Sequence, residues 1–241
     1  MTIAPGPRAA AVFDVDGTIS RTNSTSSLIW LKRQHHSRVQ HLFWLAAVVW
    51  RAPMLWVMDR IERDLADRVV YRQFAGMPLA RLEADARRCC AELLLPACFP
   101  EAVAEIEQHR REGRRIVFIS GGLDVILAPF AEAFGAELIA QRLVVERNRC
   151  TGVHRDFAIL GEGMAPRAQG ARKAAALRRY AEATGIDLAS SVGYGDSVND
   201  LRMLECVGTP VVVRPDRTME RIARGRGWDV RRWAAAQPGR R

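Results

Sequence analysis

The sequence predicts an α/β protein in which a doubly wound parallel sheet carries a helical cap inserted after the first strand. Three observations predict it. Short apolar runs of strand length recur along the chain, and from the second onward they are separated by segments of helical periodicity. Parallel strands need a crossover to join them, so this alternation implies a parallel sheet with helices on both faces. Between about Thr22 and Ala97 the alternation stops and the pattern is helical throughout. The expected division is therefore an α/β core of residues 1–21 and 98–241, with a helical cap over 22–97.

Taken in order, Ala9 to Phe13 is a fully apolar run ending on Asp14, as a buried central strand requires. Four further runs follow: Arg115 to Ser120, Glu137 to Ala140, Ser191 to Gly195 and Thr209 to Val213. Helical patterns occupy Glu101 to Glu112, Asp124 to Phe134, Ala171 to Ala183 and Asp200 to Cys206. Leu143 to Glu146 and Arg149 to Gly152, joined through Arg147 and Asn148, have the spacing of a small hairpin added after the third strand. The tail from Ala234 to Arg241 is expected to fray.

Composition bounds the partners. The chain has 241 residues, 49% of them hydrophobic, enough for one catalytic domain and a small insert. Its formal charge of +9 is carried almost wholly by arginine, with Lys32 and Lys173 as the only lysines. The basic excess is uneven: Asn23 to Arg60 carries five Lys/Arg against Asp59 alone, and Arg214 to Arg241 nine Arg against three acids, patches that favour an anionic partner such as phosphate, nucleic acid or an anionic membrane surface. A solubilising surface is the alternative. Cys89, Cys90, Cys98, Cys150 and Cys206 form neither a C-x-x-C pair nor a zinc spacing, and the N-terminus lacks a charged-then-apolar signal. A cytoplasmic setting with free thiols is expected. No run of about 20 apolar residues exists to span a bilayer.

Four segments carry chemistry. D-V-D-G-T, Asp14 to Thr18, places two carboxylates where a buried strand gives way to a loop that Gly17 allows to bend tightly. Ser120-Gly121-Gly122 offers a hydroxyl and backbone N–H groups before a helix, a cradle for oxyanions. Lys173, near a helix start, is a compact cation suited to phosphoryl oxygens. G-D-S-V-N-D, Gly195 to Asp200, supplies Asp196, Asn199 and Asp200, hard oxygen ligands that with Asp14 suit Mg²⁺. Each alone also reads as an ordinary turn, helix cap or surface lysine. The five histidines show neither a metal spacing nor a triad context, and packing or surface roles are expected for them.

In this order, each at a strand end or helix start, the four segments resemble the motifs of the haloacid dehalogenase superfamily, whose core is Rossmann-like. The position of the insert resembles the helical cap of its phosphoserine phosphatase-like branch, subfamily IB. The resemblance covers Ala10 to about Trp233. It implies a phosphatase in which Asp14 attacks phosphorus to form an aspartyl-phosphate, and Asp16 protonates the leaving oxygen and later activates water. It further implies Mg²⁺ bound by the Asp14 carboxylate, the Asp16 backbone carbonyl and Asp196, supported by Asn199 and Asp200. Thr18, Ser120, Gly121 and Lys173 would bind the phosphate.

Substrate choice belongs to the cap. Phosphoserine phosphatases carry a glutamate where this chain has Asn23, which weighs against phosphoserine. Leu42 to Met58 is apolar apart from Arg51 and contains Trp44, Trp50 and Trp56, preceded by His35, His36, Arg38 and His41. Such a segment is either the core of a helical cap broken at Pro53 or an interfacial segment resting peripherally on a membrane. The expected substrate is a small or amphiphilic phosphomonoester, with a lipid phosphate included if the segment meets lipid. Phosphotransfer to another acceptor and a non-catalytic membrane- or nucleic-acid-binding role are the alternatives, nucleic acid being the less expected partner. Gly161 to Arg172 is a longer approach to Lys173 than the family usually shows, which either displaces that lysine or forms a loop at the site.

Overall fold

A computed structural model describes residues 9–35, 37, 39–40, 42–44, 46–50, 71–158 and 169–234. Among these residues seven strands form one sheet in the order β4-β3-β2-β1-β5-β6-β7. The strands are β1 Ala10–Asp14, β2 Arg115–Leu123, β3 Glu137–Glu146, β4 Arg149–Ala158, β5 Val192–Gly195, β6 Thr209–Val213 and β7 Asp229–Arg231. Every neighbouring pair is parallel except β3 with β4. This is the α/β fold expected from the alternation of strands and helices.

The central strand shows why the sheet is covered twice. All five residues of β1 are buried, and they alternate between two apolar layers. Ala11 and Phe13 join Phe118 and Tyr194 against α3 (Pro100–Arg111) and α4 (Asp124–Ala133), through Ala102, Ile106, Leu127 and Phe130. Ala10 and Val12 join Val117, Ile119 and Val212 on the other face. There they meet α5 (Gln169–Thr184), α6 (Leu201–Leu204) and α7 (Arg217–Gly225) through Leu177, Tyr180, Met203, Leu204, Met219 and Ala223.

The chain leaves the sheet layer and returns to it at one place. Ser20 pairs with Cys98, Arg21 N donates to Ala97 O at 3.0 Å, and Phe99 N donates to Ile19 O at 2.9 Å. Between these points the described residues are helical: α1 (Ser24–His35), residues 39–40, 42–44 and 46–50, a short turn at Arg72–Phe74, and α2 (Leu79–Cys89). A π turn at Cys90–Leu94 continues α2 toward the core. Leu28, Leu31, Tyr71, Phe74 and Leu82 of the insert pack with Leu123, Ile126, Leu143 and Cys150 in a third apolar cluster that seats insert on core. His35 Nε2 lies 2.6 Å from Asp85 Oδ2, tying α1 to α2. Residues 51–70, with Pro53 and Trp56, lie outside the described residues, as do His36, Arg38, His41 and residues 235–241 of the tail.

The hairpin differs from its expected form. Its strands are not a separate addition: β3 runs unbroken from Glu137 to Glu146, and β4 extends to Ala158. The two-residue loop at Arg147 and Asn148 has both φ positive, 48° and 59°, the geometry that suits the twist of a hairpin. Nor does the hairpin belong to the core alone. Leu79 N donates to Asn148 O at 3.0 Å, and Met77 O accepts from Cys150 N at 2.9 Å, so its tip is braced against the insert.

Two elements at the far edge, α7 and β7, were not expected, because charged residues interrupt their patterns. The helix expected over Asp200 to Cys206 is a 3₁₀ turn, Val198–Asp200, followed by the short α6. No helix among the described residues is long and apolar enough to cross a membrane. All five cysteines are free thiols.

Candidate active site

The four sequence motifs meet at the carboxyl ends of neighbouring strands. Asp14 ends β1, Ser120 lies in β2 on one side, and Asp196 follows β5 on the other. Lys173, in the first turns of α5, reaches the same place despite the long segment that precedes it. Its Nζ lies 2.5 Å from Asp14 Oδ1 and 2.7 Å from Asp200 Oδ1, and it is only 4% exposed. The longer approach therefore does not displace the lysine.

Asp14, Asp196 and Asp200 each offer a carboxylate oxygen within 4.8 Å of the others. Three carboxylates share one ammonium, so the fully ionised cluster carries two uncompensated negative charges. Burial, followed by repulsion from Asp200, holds Asp14 well above the usual carboxylate range, although Lys173 opposes this. Asp196 is pushed up to about 7 by burial and then by Asp200. Burial disfavours the Lys173 ammonium, but Asp14 and Asp200 outweigh it and hold the proton more tightly than in an ordinary lysine. An isolated ion pair would not raise both partners. Burial together with surplus negative charge does, so the carboxylates would gain from a bound cation.

Gly17 closes the cluster. Its φ is +84°, and a Cβ there would lie 2.2 Å from Asp196 Oδ2. The glycine thus permits both the tight turn and the approach of the β5 loop to the β1 loop. Asp200 holds that loop from within. Its Oδ1 takes the lysine, while its Oδ2 accepts from Asp196 N, Ser197 N and Ser197 Oγ at 3.2–3.3 Å. Asn199, in contrast, is exposed.

The phosphate-binding candidates are also assembled here. Pairing of β2 with β3 shifts register between Ile119 and Leu123, freeing the Ser120-Gly121-Gly122 stretch from a regular ladder. Ser120 is fully buried, and its Oγ accepts from Gly122 N at 3.0 Å, which leaves its own proton to donate. Thr18 Oγ1 is buried and has no hydrogen-bond partner among the described residues. Gly121 O accepts from Tyr71 Oη of the insert at 3.1 Å. Asp124, in the first turn of α4, stands apart from this chemistry: its Oδ1 accepts from Val125 N and Leu143 N, fastening α4 to β3.

Asp16 stands apart from the carboxylate cluster. Its Oδ2 accepts from Ser24 Oγ at 3.0 Å and Ser24 N at 3.3 Å, so the start of α1 holds it. Beside it lies a narrow, partly open recess lined by Asp16, Ser24, Ser27, Leu28, Tyr71 and Phe74 on one side and by Gly122, Leu123, Ile126 and Leu127 on the other. Asn23 caps α1, its Oδ1 accepting from Ser26 N at 2.9 Å and Ser26 Oγ at 3.0 Å. Sequence reasoning passed over Ser24 and Tyr71. A serine at a helix start and a tyrosine in a helical segment carry no distinguishing signal until the fold sets them beside Asp16 and Gly121.

Hard oxygen donors with surplus negative charge fit a small divalent cation, Mg²⁺ above all. The sequence model for haloacid dehalogenase-like hydrolases matches residues 11–205. A probable phosphatase of Mycobacterium tuberculosis H37Rv is 33% identical over 233 residues, covering 94% of this chain and 76% of that protein. A protein of unknown function from Bordetella pertussis Tohama I superposes with a TM-score of 0.75 at 24% identity, over 92% of this chain and 97% of the other. A phospho-aspartyl intermediate analogue of phosphoserine phosphatase superposes with a TM-score of 0.64 at 18% identity, over 95% and 94% of the two chains.

Proposed function

The chain belongs to the haloacid dehalogenase-like hydrolase family, and from that premise we propose that it is a Mg²⁺-dependent phosphatase working through a phosphorylated Asp14. The observation that carries the proposal is the buried cluster of Asp14, Asp196 and Asp200 around Lys173.

Asp14 and Asp196, with the Asp16 backbone carbonyl, would hold the metal. When bound, Mg²⁺ supplies positive charge that offsets repulsion between an anionic nucleophile and a dianionic phosphate. An Asp14 oxygen forms a bond to phosphorus as the ester oxygen leaves, taking its proton from the Asp16 carboxyl group. The Asp16 carboxylate then removes a proton from water. The resulting oxygen attacks the same phosphorus, breaks its bond to Asp14 and releases inorganic phosphate. The Ser120 hydroxyl proton, backbone N–H groups around Gly121, the orphaned Thr18 hydroxyl and the Lys173 ammonium bind the phosphoryl oxygens. Ser24, bonded to the Asp16 carboxylate, makes the orientation of the acid depend on the seating of the insert.

Two features bear on the substrate class. Among the described residues the lining of the recess beside Asp16 adds no ionisable side chain except the Tyr71 phenol, and Asn23 is engaged in capping α1 where a glutamate would read an amino group. These features favour a small or amphiphilic phosphomonoester without an ammonium group over phosphoserine. Phosphate release across a panel of soluble and micellar monoesters, with and without Mg²⁺ and with Asp14→Asn as control, tests this reading. Release that requires Mg²⁺ and Asp14 and disfavours phosphoserine is expected; metal-independent release, or a preference for phosphoserine, would count against it.

A further inference from the structure

The insert carries an apolar surface that the phosphatase chemistry does not use. In the helical residues 39–40, 42–44 and 46–50, Trp44, Ala47 and Val48 face inward and are half-buried, and Trp44 Nε1 donates to Gln73 Oε1 at 2.8 Å. The opposite side is also apolar. Val39, Leu42, Phe43, Val49 and Trp50 are 63%, 68%, 73%, 69% and 86% exposed, and Ala46 between them is exposed as well. Positions 39, 42, 43, 46, 49 and 50 repeat at the spacing of one helical face, so these side chains form a continuous stripe. Scattered surface apolar residues need no explanation, but a contiguous stripe ending in a tryptophan marks an interaction surface.

Charge indicates the occupant. From Gly17 to Met58 the sequence contains no carboxylate, while it holds Arg21, Lys32, Arg33, Arg38 and Arg51. An apolar stripe within a purely cationic stretch is complementary to a surface that is apolar beneath and anionic on top. A lipid bilayer bearing anionic headgroups has that construction, and aromatic residues at the edge of such a helix sit at headgroup level. A second copy of the chain does not: it would bring another acid-free, cationic surface against this one.

We propose that the apolar stripe of Val39, Leu42, Phe43, Ala46, Val49 and Trp50 is an interfacial surface that docks the insert on an anionic bilayer, with Leu42, Phe43, Val49 and Trp50 as the inserted side chains. Docking of this face does not depend on the identity of the phosphatase substrate. It brings the insert to a lipid surface. The stripe lies on the membrane and does not cross it.

The test is co-sedimentation of the full chain at low salt with vesicles of phosphatidylcholine alone and of phosphatidylcholine with phosphatidylglycerol. Binding should be at least about 10-fold tighter to the anionic vesicles and should weaken as salt rises. The double variant Phe43→Glu with Trp50→Glu should lose that binding, keep its circular dichroism spectrum, and hydrolyse a soluble phosphomonoester as the parent does. Loss of hydrolysis in the parent as well would speak to the phosphatase reading and leave the lipid result intact. No sedimentation with anionic vesicles, equal binding to neutral ones, or binding that survives the double substitution overturns the proposal. So does a concentration-dependent dimer, seen by light scattering, that the double variant disperses in the absence of lipid binding. If the double variant misfolds, Phe43→Ala with Trp50→Ala takes its place, with the anionic-to-neutral ratio of the parent deciding alongside it.

Discussion

Replacing Asp196 by Asn should make the metal-free protein more stable while abolishing its metal-dependent activity. Asp196 shares its site with the Asp14 and Asp200 carboxylates and with the Lys173 ammonium. At an effective dielectric of about 20, two unit charges 4.8 Å apart interact by about 3.5 kcal/mol. Two repulsions against one attraction leave about one such repulsion, which solvent at the half-buried Asp196 reduces to about 1–2 kcal/mol. For a chain of this size that is a rise of about 2–8 °C in Tm. The sign follows from linkage. Asp196 is raised from 3.8 to about 7 in the folded protein, so folding is penalised as pH rises through that window. The advantage of Asn should therefore be absent near about pH 4 and complete above about pH 7. Asn matches the shape of Asp, so the close contact with Gly17 is retained. Thermal unfolding in chelator and in excess Mg²⁺, across pH, is the assay. Mg²⁺ should raise the Tm of the parent and leave that of the variant nearly unmoved. A variant less stable than the parent in chelator above pH 7, or a gap indifferent to pH, would refute the electrostatic reasoning.

Three further outcomes are expected. Lys173→Met should lower kcat by about 10² or more and, by leaving Asp14 and Asp200 unpaired, lower the metal-free Tm, the opposite sign to Asp196→Asn; steady-state kinetics and calorimetry check both. Gly17→Ala should weaken Mg²⁺ activation by about 10–100-fold, because its Cβ would displace Asp196 and its φ of +84° is strained for alanine; a metal titration of activity reads this. His109 is buried against Tyr194, with Nε2 2.8 Å from Oη, and burial, then Arg114, lowers its proton affinity below the ordinary value of 6.5. Its contribution to stability is complete above that value and is lost as pH falls, by at most about 1.4 kcal/mol per pH unit. His109→Gln should flatten the acid limb of the stability profile, measured by denaturant unfolding from about pH 7 to about pH 5.

What the sequence made legible was what short-range pattern determines. β6 spans the Thr209 to Val213 run residue for residue, and β1 differs by one position at either end, because a buried parallel strand is an uninterrupted apolar run. The motif residues were legible for a related reason: Asp14, Ser120 and Asp196 stand where such runs end, and strand ends are where this fold assembles chemistry. Lys173 was recognised by its rarity and order, although its place beside Asp14 is set by the packing of α5. The edge elements were hidden. α7 and β7 interleave Arg217, Glu220, Arg221, Asp229 and Arg231 with few apolar residues, and only Met219 and Ala223 are buried from that helix. β3 was cut short because Gln141 and Arg142 interrupt its apolar run. The bond from Ser24 to Asp16 and the stripe on residues 39–50 were beyond reach, since both depend on which side of a helix meets the core. The same apolar segment reads equally as core or surface until one face is seen to be buried and the other exposed.

The most direct test of the account is whether Asp14 becomes phosphorylated. The chain should be mixed with a turned-over phosphomonoester in Mg²⁺, quenched in acid within one turnover, and analysed by intact mass and peptide mapping. A chain one phosphoryl group heavier is expected, with the label on Asp14, absent in chelator and in Asp14→Asn. Phosphate release that proceeds with no trapped label and survives Asp14→Asn would contradict it.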